Sequence, residues 1–141
     1  MYTFQITLHA RPAEALPGGS IEINGQRYST LDVPAQVQGT GFSVSFEETS
    51  VALAQLPRMF IEPDGSFVWV SPAGERAWQV DGVLYDRDER LQFIDLKGTC
   101  PAAAFDQVLS AVDWPTTAVM LQLTREAVFV DEATFRSLAV A

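Results

Sequence analysis

The stretch Arg58-Met59-Phe60-Ile61-Glu62-Pro63-Asp64-Gly65-Ser66-Phe67-Val68-Trp69-Val70-Ser71-Pro72-Ala73-Gly74, which continues to Leu96 without a helical repeat, decides the fold. Glu62-Pro63-Asp64-Gly65 and Ser71-Pro72-Ala73-Gly74 each place proline early and glycine late. Tight turns favour that order because proline presets a negative φ and glycine accepts a positive one. Strands are therefore expected over 58–62, 66–71 and 75–85. A third turn at Asp86-Arg87-Asp88-Glu89 leads into Leu91-Gln92-Phe93-Ile94-Asp95-Leu96. Strands joined by turns this short pair antiparallel, since a parallel pair needs a long crossover.

Towards the N-terminus, Tyr2 to Leu8 alternates Tyr2, Phe4, Ile6 and Leu8 with Thr3, Gln5 and Thr7, the period of a half-buried strand. Residues 10–20, with Pro12, Pro17, Gly18 and Gly19, read as a loop. Asn24-Gly25 between two short alternating runs signals a hairpin. Phe42 to Phe46 alternates again and is expected to be a strand, and Thr49 to Leu56 offers one or two helical turns stopped by Pro57.

Towards the C-terminus, Phe105, Val108, Leu109 and Val112 fall at helical spacing, with Thr99 or Cys100 as N-cap and Pro101 in the first turn. Residues 118–123 and 127–130 read as strands, and Asp131 caps a terminal helix with Phe135 and Leu138 on its inner face. Strands come mostly first and helices late. The expectation is an α+β fold: an antiparallel, meander-rich β-sheet with two or three helices packed on one face, as a single domain over 1–141.

The chain has 141 residues, 48% of them hydrophobic, enough for one core and too few for a second domain. Nine Lys+Arg against 18 Asp+Glu give a net charge of -9, which repels phosphate backbones and anionic membrane surfaces. Arg58, Arg76, Arg87, Arg90 and Lys97 are interleaved with acids, so no basic stripe forms. A protein partner with a basic surface fits better than nucleic acid or membrane. The chain shows no export signal, no apolar run of membrane-spanning length, and one cysteine that has no disulfide partner within it. A cytoplasmic location is expected.

Phosphate-binding, nucleophile-elbow, zinc-protease and calcium-loop motifs are lacking, and one histidine with one cysteine assembles no zinc site, so neither cofactor nor metal is expected. Three sets of residues carry possible function. Cys100, at a strand-to-helix junction, is a candidate thiol nucleophile, because helix N–H groups stabilise a thiolate; His9 could serve it as a base. A turn centred on Asp88 would pair Asp81 with Asp95, two carboxylates able to share a proton or hold a cation. Trp69 and Trp78 flank the turn at 72–74 and should be neighbours on one sheet face, either as core or as an open patch that grips a partner.

No motif names a reaction. The leading expectation is a small acidic, non-catalytic binding or interaction module. The alternatives are an enzyme of unknown reaction using Cys100 or the Asp81/Asp95 pair, and a structural subunit of a homo-oligomer.

Overall fold

The alternating run at the N-terminus becomes the central strand of one nine-stranded antiparallel sheet in the computed structural model, which describes residues 1–140. In chain order the elements are β1 (Tyr2–Ala10), β2 (Leu16–Ile23), β3 (Gln26–Asp32), a 3-10 turn (Ala35–Val37), α1 (Phe46–Ala54), β4 (Met59–Ile61), β5 (Ser66–Val70), β6 (Gln79–Arg87), β7 (Arg90–Cys100), α2 (Ala102–Ser110), β8 (Val119–Leu123), β9 (Val128–Asp131) and α3 (Glu132–Ala139). The strand order is β2-β3-β9-β8-β1-β7-β6-β5-β4. The meander β4 to β7 therefore forms one half of the sheet, and β1 joins it to the half built from both ends of the chain.

Pairing of Phe4 with Gly98, Ile6 with Leu96 and Leu123, and Leu8 with Ile94 and Leu121 puts these side chains on one face. The helices cover that face. Leu53 of α1, Phe105, Val108 and Leu109 of α2 and Phe135 of α3 belong to the same buried cluster as Ile6, Leu8, Ile94 and Leu96. Burying each such side chain contributes roughly 1.5–3 kcal/mol, which is why α2 and α3, at eight or nine residues, hold their shape here. Arg136 ties α3 down further: it pairs with Asp106 of α2 at 2.6 Å and Glu132 at 2.9 Å, and donates to the Tyr2 hydroxyl at 3.2 Å. Those partners hold its guanidinium in the charged form despite the burial.

Four local expectations are corrected. Phe42 to Phe46 is not a strand, because Ser45 accepts from the Glu48 N–H while the Glu48 side chain accepts from the Ser45 N–H; this capping box starts α1 at Phe46. Residues 16–20, read as loop, belong to β2; as an outer strand it tolerates Pro17, next to a register shift before Gly19. β6 begins at Gln79 rather than residue 75, because Ser71 closes a wider loop: its N–H donates to the Trp78 carbonyl at 3.0 Å and its hydroxyl accepts from the Trp78 N–H at 3.1 Å. β7 runs on to Cys100, so neither Thr99 nor Cys100 caps α2; Pro101 takes the N-cap without a side-chain bond. Among the described residues no helix is long and apolar enough to cross a membrane.

Candidate binding face

β-strands present alternate residues to opposite faces, so the residues that interleave with the core positions form a second surface that no helix covers among the described residues. Its middle is polar: Thr3, Gln5 and Lys97, with Gln79 and Asp81, are exposed there. At the β2–β3 end, Ala15, Leu31, Met120 and Phe129 make a small satellite core against the same face.

From that satellite core an aromatic ladder crosses the sheet. The Phe129 ring meets His9 edge-on at 5.3 Å, His9 stacks on Phe93 at 5.4 Å, and Phe93 stacks on Tyr85 at 4.6 Å. Burial increases along it from Tyr85, 43% exposed, to Phe129, 9% exposed. His9 Nε2 lies 2.7 Å from the Thr7 hydroxyl, and burial pushes its pKa down to about 4, so the ring is a neutral aromatic member of the ladder.

Carboxylates flank the exposed end. Asp95 lies two residues from Phe93 on β7, opposite Val83 on one side and Thr7 on the other, and is in no ion pair among the described residues. The Leu84 N–H donates to the Gly65 carbonyl at 3.0 Å, which holds the β4–β5 turn that carries Asp64 against β6, one residue before Tyr85. Ser66 bonds to the Asp64 carboxylate through its hydroxyl at 2.6 Å and its N–H at 2.9 Å, and these bonds hold the carboxyl below the usual carboxylate range. An exposed aromatic ring with carboxylates on the neighbouring strand and turn suits a cation with a flat, delocalised charge.

Of the sequence-derived candidates, His9, Asp81 and Asp95 are on this face, whereas Cys100, Trp69 and Trp78 are buried on the other. Cys100 is fully buried on the helix-covered face, paired with Tyr2, and burial pushes its thiol up to about 12. A nucleophile needs the opposite, an exposed thiolate. His9 is at the other end of β1 and on the other face, roughly 23 Å away by strand rise, so the Cys-His pair does not form.

Asp81 and Asp95 share the open face but are not opposite each other. Asp88 and Glu89 both adopt positive φ, 52° and 69°, so the hairpin closes in two residues with Arg87 opposite Arg90; a bulge between Tyr85 and Asp86 then shifts the register. Asp81 consequently faces Lys97, and Asp95 faces Val83. Among the described residues no group of three or more His, Cys, Asp or Glu side chains is placed to hold a metal. Trp69 and Trp78 do meet, edge to face at 4.9 Å, but on the covered side, at 3% and 6% exposure. Of the two readings, core or open patch, the pair is core, and Trp69 is in register with Val80 on the helix side.

The aromatic ladder was not read from the sequence. Its only local signal is the Tyr85–Phe93 pair, two aromatics flanking a turn, and the bulge decides that they meet. No family model matches the chain, and neither a curated protein nor a solved structure matches it.

Proposed function

We propose that the chain is a small non-catalytic binding module whose uncovered sheet face receives an arginine-bearing, basic segment of a protein partner. The observation that carries this reading is Tyr85, exposed and stacked on Phe93, with Asp95 two residues along β7 from Phe93 and the turn that carries Asp64 held against the residue before Tyr85. A guanidinium laid on that ring gains cation–π attraction, and its N–H groups reach for the carboxylates; lysine, a compact and strongly hydrated charge, gains less. The net charge of -9 steers a basic partner towards the molecule and accelerates encounter. Backing by Phe93 and His9 fixes the ring before binding, which lowers the ordering cost.

Fluorescence anisotropy with a labelled peptide of four arginines separated by glycines, and with its lysine counterpart, tests the reading. The arginine peptide should bind about five- to tenfold more tightly than the lysine one, weaken with added salt, and lose that preference in Tyr85→Ser. Equal affinity for both peptides, unchanged in the variant, would leave only nonspecific charge attraction and overturn the proposal.

A further inference from the structure

A second site, independent of the aromatic ladder, lies where β1 loses its neighbour. β8 pairs with β1 only from Ile6 onward; beyond it Gln5 accepts from the Thr124 N–H at 3.2 Å, and the next bridge on that flank is Tyr2 with Val140. The β2–β3 hairpin does not fill the gap, because it is in register with the sheet at the single pair Leu31–Phe129 before it diverges. Its far end instead brings Ile23 against the core.

The result is a cleft of about 370 Å³, within the size range of small-molecule sites. Its walls are apolar: Phe4, Ile6, Ile23, Leu123, Phe135 and Leu138. Lys97, the one lysine of the chain, and Arg125 line it together with Glu126. Among the described residues none of these three charged side chains is in an ion pair. Two cations and one acid line the cleft, and Asp81, cross-strand from Lys97, lies outside its lining.

We propose that this cleft binds a small aliphatic monocarboxylate, its alkyl chain against Ile23, Leu138 and Phe4 and its carboxylate at Lys97 and Arg125. An apolar wall gives the tail its free energy, and the paired cations select the sign of the head. Glu126 disfavours a second negative charge on the ligand. The site is separate from Tyr85: along β7, Lys97 is four residues, about 13 Å, beyond Phe93.

Isothermal titration with decanoate, decanol and decyltrimethylammonium, each below its micellar concentration, tests this on the whole chain. Decanoate should bind saturably and raise the melting temperature, with decanol weaker and the cation weakest. Lys97→Gln should weaken decanoate about fivefold while leaving decanol unchanged, and Leu138→Trp, at a half-buried position, should fill the cleft and abolish both. Circular dichroism checks that each variant is folded, and Leu138→Ala, which leaves the cleft open, serves if the tryptophan variant does not fold: it should weaken both ligands that bind through the tail. Equal binding of all three ligands, decanoate affinity indifferent to Lys97→Gln and to the Leu138 variant, or binding of a leucine-terminated peptide in place of decanoate would overturn the proposal.

Discussion

Tyr85 and Phe93 stack across β6 and β7 with ring centroids 4.6 Å apart and planes 17° from parallel, on the face that no helix covers. Phe93 is held on its other side by His9, whereas Tyr85 is 43% exposed. The two rings therefore divide between support and contact. Tyr85→Ser should cost less than about 1 kcal/mol of folding stability, and Phe93→Ala more, about 1–2 kcal/mol, because only the latter removes a ring packed on both sides. Urea titrations of the two variants measure this; an inverted order would mean that Tyr85 is structural.

His9 gives the fold a pH dependence. Its pKa is about 4 in the folded chain against 6.5 as its ordinary value, so between these the unfolded chain binds a proton that the native one refuses. Stability is then complete above about pH 6.5 and falls as the pH drops towards 4, by about 3 kcal/mol in all. Denaturation midpoints at pH 7 and 5 should differ in the wild type, and the difference should shrink in His9→Phe. An unchanged slope in the variant would assign the effect to carboxylates instead.

Much of this architecture is legible from local chemistry. The turns with Pro63 and Gly65, and with Pro72 and Gly74, mark the meander, and the Asp131 cap is where its side chain accepts from the Thr134 N–H at 2.7 Å. The face chosen by each strand was harder to read, because it depends on register. A single bulge beside Asp86 moved Asp81 opposite Lys97 and set Tyr85 on Phe93. Cys100 looked like a helix cap because Pro101 follows it, yet its side chain follows the alternation of β7 into the core. The ladder joins the β6–β7 hairpin to β1 and β9 at the two ends of the chain, and periodicity within one segment carries no trace of such a meeting.

Gly82 is required by its neighbour across the strand pair. A Cβ there would sit 2.1 Å from the Phe67 ring, which lies directly over the glycine. Gly82→Ala should destabilise by about 2 kcal/mol or more, the cost of displacing a packed ring. The same substitution in a Phe67→Ala background should cost distinctly less, and a double-mutant cycle reads the coupling. Additive costs would contradict this packing account.

Cys100, buried and with its thiol pushed up to about 12, should resist alkylation in the native state. Iodoacetamide at neutral pH should label it only as denaturant unfolds the chain. Labelling at the rate of a free thiol without denaturant would place it at the surface.

The central claim, an arginine-receiving open face, is tested most directly by mapping where the tetra-arginine peptide binds on the isotopically labelled chain. Amide resonances should move saturably at Val83, Tyr85, Phe93 and Asp95 and at the turn around Asp64, with α2 and α3 unaffected. Saturable shifts gathered on the helical face, or none at Tyr85 and Phe93, would contradict it.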